Sequence, residues 1–151
     1  MITYLSQRDS RWAQNKLGLS SLTVGRYGCT TTAICMGLSA FNQKMMPNQL
    51  AAVPENYTKD GLIVWQNLKL PGNFKFKKRV QGRVDAAIQS SLKDPNEFVV
   101  LQVNNGQHWV LALSKTFFGN DYNVADPWWG DKRKACKDYK NITGSSHFSR
   151  L

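Results

Sequence analysis

The stretch Tyr27–Gly37, YGCTTTAICMG, decides how the rest of the chain is read, because it sets a cysteine directly after a glycine at the start of an apolar helical run. Ile34, Leu38 and Phe41 recur at helical spacing after Cys29, with Ala33, Met36 and Ala40 beside them, the broad apolar face of a buried helix. A sulfur in the first turn of that helix meets unpaired N–H groups and the positive end of the helix dipole. Such a thiol either fills core space or is held as a reactive thiolate. Cys35, six residues on and away from the helix end, reads as core.

Working outward, the pattern changes near the middle of the chain. Pro47 opens a short helix through Leu50 and Val53 that stops at Pro54. Further helical stretches are expected over 61–68 and from about Arg83 to Leu92, the latter with Val84, Ala87, Ile88 and Leu92 facing inward. Between them FKFKKRV alternates Phe74, Phe76 and Val80 with cations, a half-exposed strand whose lysines discourage edge pairing. EFVVLQV and HWVLALS then flank Asn105-Gly106, a strong hairpin signal. With those two residues as the loop, Val103 faces His108, Leu101 faces Val110 and Val99 faces Ala112, so His108 starts a central strand. After a turn around Phe118-Gly119-Asn120, Tyr122 to Asp126 forms the next antiparallel strand, ended by Pro127. His108 and Asp126 share a face only if the two strands pair in an even register.

Composition bounds the rest. The 151 residues, 42% hydrophobic with five tryptophans, suffice for one buried core, and a single α+β domain spanning 1–151 is expected. No run approaches the roughly 18 apolar residues of a membrane span. The opening MITYLSQRDSRW carries charges where a secretory signal has its apolar segment, so no signal peptide is expected. Twenty Lys+Arg against ten Asp+Glu give a formal +10, suited to polyanionic surroundings such as nucleic acid, anionic lipid headgroups or a bacterial cell-envelope surface, among which charge alone does not choose. The cations concentrate in two places, Lys69 to Lys93 and Lys132 to Lys140, each readable as a solvated face or a binding patch. They lack the aromatic interleaving of a single-strand platform, so no specific nucleic acid is expected. Three cysteines (Cys29, Cys35, Cys136) without CxxC spacing point to neither a disulfide framework nor a metal site.

A thiol nucleophile needs a lowered pKa, a base, a group to hold that base and donors for the oxyanion. The chain offers Cys29, His108, Asp126 and Gln7 for these roles. Each also has a plain structural reading: packing for the cysteine, a surface hairpin for the histidine, a turn for Asp-Pro, a backbone contact for the glutamine. The other histidine, His147 in GSSHFSR, reads as an exposed residue of a polar tail. Adjacent Trp128 and Trp129 cannot easily both be buried on one side, which leaves one to line a cleft.

In order, Gln7-Arg8-Asp9 with Trp12, Tyr27-Gly28-Cys29-Thr30, Pro47 with Gln49-Leu50-Ala51, His108-Trp109-Val110, and Ala125-Asp126-Pro127-Trp128 with Gly130 resemble the peptidase-like family related to double-glycine leader peptidases, of the papain-like clan. The resemblance spans nearly the whole chain. It implies a papain-like fold in which a helix carrying the cysteine packs on an antiparallel sheet carrying His and Asp. It assigns Cys29 as nucleophile, His108 as general base and acid, Asp126 as orienting residue and Gln7 as oxyanion donor. Gly28, Trp109, Trp128 and Trp129 would border the substrate, with no metal and no organic cofactor. The glutamine lies farther from the cysteine here than in the bacteriocin-processing transporters. The expectation is a monomeric cysteine peptidase, acting on peptidoglycan peptides as phage lysins do. The alternatives are an intracellular protein-directed protease or deconjugating enzyme, and a non-catalytic basic binding or virion protein on the same scaffold.

Overall fold

The computed structural model describes residues 1–150. Its elements run α1 (Val24–Tyr27), α2 (Cys29–Ser39), α3 (Pro47–Ala51), β1 (Phe74–Gln81), α4 (Asp85–Lys93), β2 (Glu97–Val103), β3 (His108–Lys115), β4 (Tyr122–Asp126), β5 (Asp131–Lys134), α5 (Ala135–Tyr139) and β6 (Ile142–Arg150). The strands make one sheet in the order β1-β6-β2-β3-β4-β5, antiparallel throughout, so the fold is of the α+β class.

The centre of the sheet is apolar on both faces because both are covered. Phe98, Val100, Leu111 and Phe148 pack toward α2, in a cluster with Ile34, Met36 and Leu38. Val99, Leu101, Val110 and Val124 point the other way, toward Ile88 of α4 and Ala135 of α5. Each fully buried Leu, Ile or Val contributes about 1.5–3 kcal/mol through removal from water. Helix α2 is buried at every position from Thr31 to Leu38, which explains why its sequence is apolar almost all round. It lies close on the sheet because of Gly37: a Cβ there would sit 2.5 Å from the Phe98 ring.

The β2–β3 hairpin pairs Val103 with His108 and Leu101 with Val110 as expected from the alternation. Its turn is wider than two residues, with Asn104, Asn105 and Gly106 all at positive φ, a backbone that asparagine and glycine tolerate best. Strand β4 covers the expected Tyr122–Asp126. β1 lies at the sheet edge, its lysines on the outer side of the fold, as the charge pattern suggested.

Several expectations are corrected. Residues 61–68 hold only a 3-10 turn, Trp65–Asn67, because glycine and β-branched residues weaken a helix there. Helix α4 begins at Asp85, and Val84 before it is exposed rather than inward-facing. The largest difference is β6. The supposed polar tail is an interior strand between β1 and β2, and His147 is fully buried. Its imidazole is not solvated but bonded at both nitrogens, with Ser145 Oγ 2.8 Å from His147 Nε2 and Ser91 Oγ of α4 2.7 Å from Nδ1, while the buried Ser146 Oγ has no partner among the described residues. Paired polar groups can occupy an interior strand at little cost. Among the described residues no helix is long and apolar enough to cross a membrane.

Candidate active site

Three separate segments converge at one end of the sheet. Cys29 opens α2, His108 is the first residue of β3, and Asp126 is the last of β4. The β3–β4 register, with Leu111 opposite Ala125, puts His108 and Asp126 on the same face by parity. His108 Nε2 lies 2.8 Å from Asp126 Oδ1, leaving Nδ1 for the sulfur of Cys29.

Asp126 has no exposed surface, and three donors converge on it. Oδ1 accepts from His108 and, at 3.1 Å, from the Trp128 N–H, while Oδ2 accepts a short bond from the Tyr139 hydroxyl. Burial pushes its pKa up, but His108, Tyr139 and the Trp128 amide outweigh that and hold it below the usual carboxylate range. Tyr139 also stacks against the imidazole, with ring centroids 4.7 Å apart. Sequence reasoning missed Tyr139: the five-residue α5 is too short for periodicity, and nothing local marks a tyrosine as a carboxylate's donor.

The titration of the central pair follows from these contacts. Burial disfavours the imidazolium, yet Asp126 and the Cys29 sulfur raise the His108 pKa to about 9. Burial likewise opposes a Cys29 thiolate; the His108 hydrogen bond and charge, the Trp109 backbone N–H and the Thr30 hydroxyl more than offset it, lowering the thiol pKa. Cys35, buried without polar partners, moves upward instead. Each partner therefore favours the charged form of the other, which tilts the couple toward a thiolate–imidazolium pair.

Gln7 arrives from the N-terminal segment, clamped by its backbone N–H to Pro127 O at 2.7 Å. Its side chain is buried, with Nε2 donating to Gly25 O at 3.2 Å and Oε1 without a partner among the described residues. Nε2 keeps a second N–H beside the sulfur's cleft, whose walls include Gln7, Cys29 and His108. The backbone N–H of Cys29, in the first turn of α2, finds no acceptor among the described residues.

The cleft has a volume of about 480 Å³ and is open to solvent. Both Trp128 and Trp129 line it, and the Arg8 guanidinium is wedged against them at 4.4 and 4.6 Å from their rings. The Trp109 ring does not line the cleft. It projects to the face of the sheet opposite His108, the face that α2 covers, 5.2 Å from the Trp65 ring and with Arg79 over it, while its backbone N–H faces the sulfur. Gly28 caps α2, and a Cβ on it would lie 2.5 Å from Val24 O, so its smallness is needed by the α1–α2 corner. Among the described residues no group of three or more His, Cys, Asp or Glu is placed to hold a metal ion.

No protein-family model matches this sequence, and no curated protein matches it.

Proposed function

We propose that this protein is a cysteine peptidase with a papain-like arrangement of its site, and that it hydrolyses peptide bonds. The observation that carries the reading is that Cys29 and His108 line one solvent-open cleft of about 480 Å³, with His108 hydrogen-bonded to a buried Asp126 that two further donors hold. A structural cysteine needs none of these partners.

In this mechanism the Cys29 thiolate attacks the scissile carbonyl carbon, and the oxygen gains negative charge. The Cys29 N–H and the free Gln7 Nε2–H are the donors within reach of that oxygen. His108, already protonated, delivers its Nδ1 proton to the leaving amine, and the C–N bond breaks to leave a thioester. A water then enters, gives its proton to His108 and attacks the thioester carbon, expelling the thiolate and restoring the ion pair. Asp126 holds the ring and stabilises its charged form, and Tyr139 holds Asp126.

For the substrate we infer peptidoglycan peptides. The formal charge of +10, and lysines along both edge strands β1 and β5, favour residence on an anionic envelope. Incubating the pure protein with bacterial sacculi should release new free amines, and the Cys29→Ala variant should release none. No release by the unaltered protein would remove the wall as substrate. For the peptidase itself, iodoacetamide should modify Cys29 in preference to Cys35 and Cys136 near neutral pH, and only when His108 is present. Equal slow labelling of all three would reduce the site to a scaffold.

A further inference from the structure

Among the described residues the walls of the cleft carry cationic groups and no exposed carboxylate. Of the ten acidic residues Asp126 alone belongs to the site, and it is fully buried beneath its three donors. Arg26 stands exposed on the wall near Cys29. Six of the seven arginines donate side-chain hydrogen bonds: Arg8 to Trp128 O, Arg11 to Asp9, Arg79 to Gln102, Arg83 to Asp85, Arg133 to Asp131 and Arg150 to Asn96. Among the described residues Arg26 is the exception, resting only over the Tyr27 ring at 5.7 Å. Asn104 and Gln107, on the β2–β3 hairpin turn, also line the cleft, and among the described residues their side-chain amides make no hydrogen bond. An unengaged guanidinium and two unengaged amides face a space in which no exposed carboxylate competes for them. A guanidinium fork matches a carboxylate in shape and charge.

We propose that the cleft selects peptides carrying a side-chain carboxylate next to the scissile bond, with Arg26 as its ionic anchor and Asn104 and Gln107 as neutral donors. This rests on the peptidase reading, since it names the substrate class of that same site. The His108 imidazolium adds positive potential but sits at the reacting centre, whereas Arg26 lies on the wall where a neighbouring substrate residue would pass.

Two pairs of blocked tripeptide chloromethyl ketones test it: Glu-Ala-Ala against Gln-Ala-Ala, and Ala-Glu-Ala against Ala-Gln-Ala. In each, the Cys29 thiolate displaces chloride, a C–S bond forms, and inactivation is read by mass. At low ionic strength at least one Glu probe should label Cys29 about two- to fivefold faster than its Gln twin, the range of an exposed ion pair. That ratio should fall toward one in Arg26→Gln, survive in part in Arg26→Lys, and shrink in high salt. Equal rates for both pairs, with Cys29 still labelled selectively, would overturn the carboxylate site and leave the peptidase reading standing. Failure of every probe and of iodoacetamide to prefer Cys29 would overturn both.

Discussion

His108 and His147 are the two histidines of the chain, each with both ring nitrogens hydrogen-bonded or facing a partner, and the fold drives them to opposite charge states. His108 lies between a carboxylate and a thiol, and its pKa rises to about 9. His147 lies between two serine hydroxyls in β6, and its pKa falls to about 4, through burial first and then through Lys78 and Lys77, with Glu97 pulling the other way. The hydrogen bonds around His147 run in one direction. Ser91 Oγ donates to Glu97 Oε1 at 2.8 Å, so it accepts from His147 Nδ1–H, and Nε2 accepts from Ser145. That sequence is complete with a neutral ring. Burial alone therefore does not make a histidine functional; a partner that gains from the ring's charge does.

The comparison breaks most severely at His108. His108→Ala should cut peptide hydrolysis by about a thousandfold or more, since both the acid–base step and the thiolate are lost. In the unaltered protein, activity should follow a bell. Its acid limb lies below the ordinary thiol range, where Cys29 regains its proton, and its alkaline limb falls near 9, where His108 loses the proton owed to the leaving group. Alkylation of Cys29 should instead plateau on the alkaline side, because it needs only the thiolate. A single limb at the ordinary thiol pKa would contradict the ion pair.

Asp126→Asn should lower kcat about 10²- to 10⁴-fold with little change in KM, because an amide holds the ring but does not stabilise its charge. Steady-state rates on a wall-derived peptide measure it. The same change should move the alkaline limb to lower pH.

His147 is read through stability. Its folded pKa of about 4 lies below the unfolded value of about 6.5, so the unfolded chain binds the proton first. The resulting loss of stability is absent above about pH 6.5 and grows as pH falls toward 4, reaching at most about 3 kcal/mol. His108 has the opposite sign: its raised pKa supplies stability that is complete below about 6.5 and disappears as pH rises through about 9. Urea unfolding at pH 7 and pH 4.5 should show the acid loss in the unaltered protein and a smaller one in His147→Gln. An equal acid loss in both would show that His147 is not its source.

The smallest effect sharpens the contrast. Tyr139→Phe removes one hydrogen bond to Asp126 and should reduce kcat about fivefold, near the 1 kcal/mol of a single hydrogen bond. Its mark is an upward shift of the alkaline limb, opposite to that of Asp126→Asn, because a carboxylate with one donor fewer holds the imidazolium proton more strongly, and a merely structural role in α5 would not produce it.

Much of the site's framework was legible along the chain because it rests on local periodicity. The apolar run after Cys29 dictated α2, and alternation around Asn105-Gly106 set which residues face one another across β2 and β3. Pro127 marked the end of β4 and so placed Asp126 at a strand terminus. β6 was not legible. Gly-Ser-Ser-His is polar by composition, and what seats it in the interior is its backbone pairing with β1 and β2 and the Ser91 hydroxyl on His147, all remote in sequence. Tyr139, Arg26 and the true direction of the Trp109 ring were hidden for the same reason.

By itself, then, the order of residues determined an apolar helix led by a cysteine, a hairpin beginning at an imidazole and a strand closing on a carboxylate, since each depends on spacing within a few residues. The tertiary structure decided that these three ends line one site, that one histidine's pKa is raised while the other's is lowered, and that among the described residues one arginine of the cleft wall is left without a hydrogen bond. Pairing, burial and proton affinity are set by what lies across space, and no local pattern encodes them.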